Sequence, residues 1–301
     1  MLTSPGSVQE ARVTFLAEDT AGSFLATKRN ILGQHGLSAL IEVESSEGKR
    51  YKVLFDTGQY AEAIIHNARL LGVSLEDVDA IVLSHNHYDH TGGLIGVLEK
   101  IGRRVPVVVH PDVFKPSIYV GGGQGLMDLG PGWSRGEAER AGAIFVETRR
   151  PLEVVPGVYY LGEVERERED LAPGLPGAYT IVDGELVPHS LRDDTGVAIR
   201  IEGYGLVVVS GCGHSGITNI AVHASRALKD DVKAVMGGFH LYAAERGTID
   251  EIAGMLRKIG VEEVYPGHCT GLRAESRLAE VYGDRFHRIT AGYTAVFRSP
   301  G

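Results

Sequence analysis

Short apolar runs rich in β-branched residues recur along the chain and alternate with stretches of helical periodicity. The apolar runs have the length and composition of buried strands. They cover residues 12–16, 38–43, 52–55, 80–83, 105–109, 158–161, 197–201, 206–209, 234–236, 263–265 and 293–297. Apolar residues spaced three and four apart predict helices at residues 60–71, 93–101, 217–228, 249–259 and 273–282. Strands followed by helices in both halves of the chain predict a layered α/β protein.

The middle of the chain departs from this alternation. From about residue 114 to 189 the pattern becomes irregular and includes Gly121-Gly-Gly-Gln-Gly and Pro173-Gly-Leu-Pro-Gly. Such a stretch is typical of either a solvated surface excursion or a segment that covers a binding site. No linker and no repeat of solenoid period divides the sequence. We therefore expect a single domain over residues 1–301, with an insertion at about 114–189.

Composition narrows the class of partner. The sequence is 43% hydrophobic and 23% charged, which is typical of a globular protein rather than a disordered one. A net charge of −9 disfavours a nucleic-acid or anionic-membrane surface. The first residues lack the pattern of a secretory signal, and no apolar run is long enough to span a bilayer. These features predict a cytoplasmic protein that acts on a small molecule, and they indicate no oligomeric state.

Four residues of metal-ligand type follow the apolar run at 80–83. They are His85, His87, Asp89 and His90. Imidazole and carboxylate groups bind zinc, iron or manganese when three or four of them converge. In extended chain His85 and His87 project to the same side and can hold one ion, whereas Asp89 and His90, where the chain turns, can face a neighbouring ion.

This H-x-H-x-D-H pattern after an apolar strand resembles the signature of the metallo-β-lactamase-fold superfamily of metal-dependent hydrolases. Further segments match in the same order: Leu54-Phe-Asp-Thr-Gly, Ser210-Gly-Cys-Gly-His-Ser-Gly and Tyr265-Pro-Gly-His-Cys-Thr-Gly. The resemblance implies a four-layer αββα sandwich that binds one or two divalent metal ions, most often zinc, with iron or manganese as alternatives. Gln34-His-Gly-Leu-Ser and Gly237-Gly-Phe-His-Leu are also similar to a narrower branch, the 7,8-dihydropterin-6-methyl-4-(β-D-ribofuranosyl)aminobenzene 5'-phosphate synthases.

Two distant histidines are predicted to join the cluster. His214 and His268 each follow an apolar run, and the carboxyl ends of parallel strands meet at one edge of a sheet. The bridging position stays open between Cys212, His214, Asp194 and His189.

Three residues are candidates for a catalytic role. Asp89 lies within the signature itself. The resemblance implies that Asp56 holds the loop or a ligating imidazole by a hydrogen bond. His240 is predicted either to bind substrate phosphate or to complete a metal shell, and a plain packing role is the alternative.

The main functional prediction is hydrolysis. A bound metal lowers the pKa of water from 15.7 to about 7, and the resulting hydroxide would attack a small polar, phosphate-containing substrate. The alternative that the narrower branch implies is a pterin transferase, in which pyrophosphate leaves a pterin methylene as an amine adds. The two D-T-G triplets at Asp56 and Asp194 are also the pattern of an aspartic protease, and a non-catalytic metal sensor would use the same ligands.

Overall fold

The computed structural model describes residues 6–22, 30–121, 123 and 125–300. The strands of the first half are β1 (Val8–Ala17), β2 (Ser38–Ser45), β3 (Arg50–Phe55), β4 (Ala80–Val82), β5 (Val105–Val109), β6 (Ile118–Val120), β7 (Leu126–Asp128) and β8 (Ala143–Glu147). Those of the second half are β9 (Leu152–Val155), β10 (Val158–Tyr160), β11 (Ala178–Val182), β12 (Glu185–Pro188), β13 (Gly196–Ile201), β14 (Gly205–Ser210), β15 (Val232–Gly238), β16 (Glu263–Gly267) and β17 (Thr294–Arg298).

The α-helices are α1 (Ala61–Leu71), α2 (Tyr88–Thr91), α3 (Leu94–Ile101), α4 (Arg135–Ala141), α5 (Ile217–Leu228), α6 (Arg246–Lys258) and α7 (Leu272–Tyr282). Within the ranges that the structure describes, no helix is both long enough and apolar enough to cross a membrane.

One thirteen-stranded sheet folds over on itself. Ten of its strands follow the order β16-β15-β14-β13-β1-β2-β3-β4-β5-β8, and the other three branch from it: β17 pairs with β1, β10 with β13, and β9 with β10. The two halves are joined where Val8 of β1 pairs with Ile201 of β13. The inner faces of the halves enclose a common core, to which one half contributes Phe15 and Phe55 and the other Tyr160. Because side chains alternate along a strand, each half has a second apolar face that must be covered from outside.

Helices cover both outer faces. Leu54 of β3 and Ile81 of β4 pack against α1 and α3, whereas Val208 of β14 and Val235 of β15 pack against α5 and α6. The layers therefore run helix, sheet, sheet, helix, which confirms the predicted four-layer αββα sandwich. The strands and helices predicted from periodicity are each present, with ends that differ by up to a few residues.

The stretch from 114 to 189 is more regular than its sequence pattern indicates. Strands β6, β7, β11 and β12 form a separate four-stranded sheet, and β8 extends the main sheet beside β5. These strands are three to five residues long, and several of their apolar side chains, such as Leu126 and Leu186, are exposed. These strands could not be predicted from the sequence, because alternation cannot be recognised over so few half-exposed positions.

Strand direction positions the loops that carry the candidate ligands. Strands β3 and β4 are parallel, and so are β14, β15 and β16. The segment 84–90 follows β4, whereas Cys212, His240 and His268 follow β14, β15 and β16. These segments converge at one end of the sandwich, the carboxyl end of the parallel strands.

Candidate metal centre

Asp56 is the hydrogen-bonding anchor of the segment after β4. It is fully buried and has a left-handed backbone with φ of 59°. Its Oδ1 accepts from the Ser84 amide at 2.7 Å, and its Oδ2 accepts from Ser84 Oγ and from His90 Nδ1, each at 2.7 Å. A left-handed backbone at a non-glycine residue costs on the order of 1 kcal/mol, and this conformation persists only where surrounding contacts hold it.

The same hydrogen bonds fix the tautomers of three imidazoles. Ser84 Oγ donates to Asp56, so it accepts from His85 Nδ1 at 2.9 Å. His90 Nδ1 donates to Asp56, and His214 Nδ1 donates to the Gly174 carbonyl at 2.8 Å. With the proton on Nδ1 in each neutral ring, Nε2 carries a free lone pair. This is the arrangement by which second-shell acceptors prepare histidines for a metal.

We call His85, His214 and Cys212 the His85 set, because their ligand atoms lie within 4.8 Å of one another. His87 adjoins this set, with Nδ1 3.1 Å from His85 Nε2. The Nε2 atom of His214 is buried and has no hydrogen-bond partner. Burial lowers the pKa of all three imidazoles, that of His87 to about 3, so they are neutral near pH 7. Neutral buried imidazoles with unpartnered nitrogens match the donor chemistry of a transition-metal site.

We call His90, His268 and Cys212 the His90 set, whose ligand atoms also lie within 4.8 Å of one another. His268 Nδ1 donates to Asp19 Oδ1 at 2.9 Å, so in the neutral ring Nε2 is the free acceptor, as in His90. The two Nε2 atoms are 3.1 Å apart. Two lone pairs at that distance repel each other unless a proton or a metal cation lies between them.

A carboxylate completes the surroundings of the His90 set. Asp89 Oδ2 lies 3.5 Å from His90 Nε2 and 3.4 Å from His268 Nε2. Burial disfavours protonation of both rings, but Asp89 and Asp56 outweigh it and raise the pKa of His90. The pKa of His268 is raised by the Cys269 sulfur, together with Asp19 and Asp89. Burial likewise opposes ionisation of Asp89, and the imidazoles nevertheless lower its pKa. The group therefore attracts positive charge and is able to hold a divalent ion.

Cys212 is the member that the two sets share. Of the other bridging candidates, His214 belongs to the His85 set alone. Asp194 Oδ2 accepts from the Ser215 amide at 2.7 Å, and His189 Nδ1 accepts from the Leu191 amide at 2.9 Å. Neither Asp194 nor His189 is in any three-membered group of metal-binding side chains found in the described ranges.

Three residues near the His90 set were not predicted from the sequence, namely Glu18, Asp19 and His35. Glu18 Oε1 accepts from the His268 amide at 2.7 Å, beside the bond from His268 to Asp19. His35, which is not among the ligands predicted from the sequence, has Nε2 3.5 Å from Asp89 Oδ2. Gly36 permits this approach, because a Cβ there would come within 1.8 Å of the Asp89 carbonyl. The Gln34-His-Gly segment was part of the resemblance, and it was the available signal for His35.

His240 separates the sets from a cavity of about 230 Å³. Its ring lies 4.1 Å from that of His214 and 5.1 Å from that of Tyr242. The other walls are largely apolar: Leu171, Pro173, Pro176, Leu241, Ala243, Ala244 and Ile252. Apolar walls with an aromatic ring suit a flat organic ring system.

The stretch 114–189 forms hydrogen bonds with residues of the His85 set and of α2. Besides accepting from His214, Gly174 donates its amide to the His214 carbonyl at 3.0 Å. The Tyr88 amide donates to the Leu129 carbonyl at 2.9 Å, and Trp133 Nε1 donates to the Thr91 carbonyl at 2.8 Å. These bonds attach the stretch to His214 and to α2, the short helix that contains Asp89 and His90.

A buried carboxyl beside this loop predicts a pH-dependent stability. Asp193 Oδ2 accepts from the Asn86 amide at 2.8 Å, and its Oδ1 has no partner. Burial, reinforced by Asp194, raises the pKa of Asp193 to about 7. The unfolded chain ionises near pH 3.9, so the folded state retains a proton that the unfolded state loses, and stability falls as pH rises between about 4 and 7.

We expect Asp193→Asn to stabilise the metal-free protein at pH 8 by about 4 kcal/mol, with little difference from the unchanged protein near pH 4. Urea unfolding at the two pH values measures this. An equal difference at both would show that Asp193 does not titrate between them.

Known proteins are similar to this chain in sequence and in fold, and some of the matches cover nearly the whole of both chains. The family model described as the metallo-β-lactamase superfamily matches residues 34–220. The 7,8-dihydropterin-6-methyl-4-(β-D-ribofuranosyl)-aminobenzene-5'-phosphate synthase of Methanocaldococcus jannaschii is 38% identical over 97% of this chain and 98% of its own. An uncharacterized protein of the same organism is 29% identical over 85% of this chain and 93% of its own.

Solved structures match as well. One is Tm1679, described as a metal-dependent hydrolase of the β-lactamase superfamily, with a TM-score of 0.77 and 26% identity over 95% of this chain and 98% of that one. The metallo-β-lactamase fold protein YhfI from Bacillus subtilis has a TM-score of 0.56 and 14% identity over 96% of this chain and 100% of that one, which is a likeness of fold alone.

Proposed function

The chain belongs to the metallo-β-lactamase superfamily, and from that membership we propose that it is a metal-dependent enzyme that joins a pterin to an aromatic amine. The observation that carries the proposal is the convergence of the His85 set and the His90 set on Cys212. The relative from Methanocaldococcus jannaschii favours this transferase over the hydrolase that the sequence analysis put first. Membership in the superfamily also excludes the alternative of an aspartic protease. Asp56 is then not one of a pair of catalytic carboxylates but the hydrogen-bonding partner of Ser84 and His90.

The proposed ligands follow the two sets. His85, His87 and His214 would hold one divalent ion, whereas Asp89, His90 and His268 would hold a second. Cys212 would bridge the two, and we propose zinc, with iron or manganese as alternatives, because the donors are imidazole, carboxylate and thiolate. A bound ion supplies a Lewis acid that stabilises the charge of a departing oxygen.

The proposed reaction is a substitution at the pterin methylene carbon. The amine nitrogen of a ribofuranosylaminobenzene phosphate forms a C–N bond as the C–O bond to pyrophosphate breaks, and the amine releases one proton. The cavity beside His240 would hold a flat ring between Tyr242 and the prolines at 173 and 176, and His240 would contact the substrate at the reacting end. Holding both reactants in one orientation supplies much of the rate acceleration in such condensations.

We further propose that the chain is one domain and that the stretch 114–189 covers the site. The hydrogen bonds of Gly174 to His214 and of Leu129 to Tyr88 support this. A cover that keeps water from the methylene carbon would favour the amine over water as the nucleophile.

Hydrolysis is the second candidate, because Tm1679 is described as a hydrolase and is 26% identical at a TM-score of 0.77. In that reaction water attacks in place of the amine. A non-catalytic metal sensor would use the same ligand sets and would turn over neither substrate.

The test is an assay of the purified, metal-loaded protein with a dihydropterin methyl pyrophosphate. We expect coupled product and pyrophosphate when a ribofuranosylaminobenzene phosphate is present, and little hydroxymethyl pterin when it is absent. His66→Ala is the matched control, because His66 Nε2 contacts the Asn30 carbonyl away from both sets. Hydroxymethyl pterin at equal rates with and without the amine would establish the hydrolase instead. No turnover of either kind, or of simple phosphodiesters, would contradict an enzymatic role.

A further inference from the structure

Cys269 lies outside the His85 and His90 sets, yet its sulfur is close to Cys212. The two Sγ atoms are 3.1 Å apart, and Cys212 Sγ is 3.3 Å from His240 Nδ1. Cys212, His240 and Cys269 form a group whose ligand atoms lie within 4.8 Å of one another, which we call the Cys269 set. Both cysteines are free thiols, and their sulfur separation is well beyond the roughly 2.05 Å of a disulfide.

The fold brings these three side chains together through unusual backbone. His240 has a left-handed backbone with φ of 48°, in the loop that follows β15. Cys269 lies in a short 3-10 turn, His268–Thr270, directly after β16. Gly238 leaves room for the thiol, because a Cβ there would come within 2.8 Å of Cys269 Sγ. A strained histidine that faces two thiols is typical of a position that surrounding structure holds for a functional reason.

The donor spacing is close to that of a metal site. Tetrahedral zinc with Zn–S near 2.3 Å and Zn–N near 2.0 Å places its ligand atoms roughly 3.3 to 3.8 Å apart. Two zinc-bound sulfurs are expected about 3.8 Å apart, and a zinc-bound sulfur and nitrogen about 3.5 Å apart. The distance from Cys212 Sγ to Cys269 Sγ is therefore short by about 0.7 Å and that from Cys212 Sγ to His240 Nδ1 by about 0.2 Å, so the side chains need to move apart by less than 1 Å. A donor set of two sulfurs and one imidazole nitrogen favours the binding of zinc over that of magnesium or manganese.

We propose that Cys212, His240 and Cys269 bind a thiophilic divalent cation, of the zinc class, at an additional site that shares the Cys212 sulfur with the other two sets. His240 also lines the cavity, so this ion lies next to the bound substrate. The site rests on the contacts of the three side chains and does not depend on which reaction the enzyme performs.

Cobalt substitution tests the site without an activity assay. In the chain loaded with Co²⁺, Cys212 would bond all three ions and Cys269 one, so four cobalt–sulfur bonds contribute to the sulfur-to-cobalt charge-transfer band. We expect the band to fall by about a quarter in Cys269→Ser when only the Cys269 bond is lost, and by about half when the third ion is lost with it. His240→Ala should lower bound cobalt by one equivalent and leave the histidine–carboxylate sites occupied. His66→Ala is the control and should leave the spectrum unchanged. An unchanged band in Cys269→Ser overturns the site, and condensation activity in that variant would leave the proposed function standing.

A second measurement uses the unchanged chain, in case Cys269→Ser does not fold. With metal bound, neither thiol should react with a disulfide reagent, and both should react after a chelator has removed the metal. A Cys269 thiol that reacts equally fast before and after chelation contradicts the proposal. So does the absence of free thiols in the purified, denatured protein, because the two sulfurs would then be joined as a disulfide.

Discussion

His214→Ala is expected to lose the ion that we propose for the His85 set and to lower kcat/KM by more than roughly 10²-fold, since even residues that only hydrogen-bond a ligand cost 10- to 100-fold. The His214 Nδ1 proton is committed to the Gly174 carbonyl, and its Nε2 is buried with no partner. A buried nitrogen without a hydrogen-bond partner does not stabilise the metal-free protein. Alanine removes the donor and leaves the neighbouring rings of His85 and His240 with space between them.

Metal content by mass spectrometry and steady-state kinetics of the same preparations measure this effect. The control is His66→Ala, which removes an imidazole that contacts the Asn30 carbonyl at the protein surface. We expect that variant to keep its full metal content and activity. A His214→Ala protein with the same metal content as the control would contradict the assignment of His214. Far-ultraviolet circular dichroism of both variants separates loss of metal from loss of fold.

The sequence predicted the signature residues because they are local. His85, His87, Asp89 and His90 fall within six positions after one strand, and the direction of their side chains follows from that strand's end. His214 and His268 could also be predicted, because each follows an apolar run and parallel strands end at one edge of a sheet. The alternation of strands and helices predicted a layered α/β protein, whereas the four-layer αββα arrangement was implied by the family resemblance.

Other parts of the site could not be predicted, because they depend on contacts between distant segments. Asp19 follows an ordinary strand, and its partner His268 is 249 positions away along the chain. Cys212 and His214 are two positions apart, and the sequence alone could not say which of them both sets share. The contact between Cys269 and Cys212 likewise could not be predicted, because it depends on the positions of two segments that are 57 residues apart.

Asp56→Asn is expected to fold but to bind metal at the His90 set about 10- to 100-fold more weakly. Asparagine can still accept from the Ser84 amide through its oxygen. Its nitrogen then faces His90 Nδ1 and donates to it, because an amide nitrogen cannot accept a proton. The ring must carry its own proton on Nε2, the atom that faces His268, and a protonated Nε2 cannot bind a metal.

Stability separates this tautomer effect from simple loss of packing. Asp56→Asn retains most of the hydrogen bonds, so we expect a loss on the order of 2 kcal/mol in urea unfolding. Asp56→Ala leaves the Ser84 and His90 donors buried without an acceptor, for a loss of about 3 to 5 kcal/mol. If only packing mattered, metal affinity would follow stability and the asparagine variant would retain nearly all of its metal.

Asp194→Asn is the matched control for the prediction, because Asp194 begins the other D-T-G triplet of the chain. Its carboxylate accepts from the Ser215 amide and has no hydrogen bond to an imidazole of either set. An asparagine oxygen can replace that acceptor, so metal content should be unchanged. Equal metal loss in both variants would mean that any buried charge near the loop is sufficient. Loss in Asp56→Asn alone would mean that the tautomer of one histidine, set by one carboxylate, determines whether the His90 set can accept a cation.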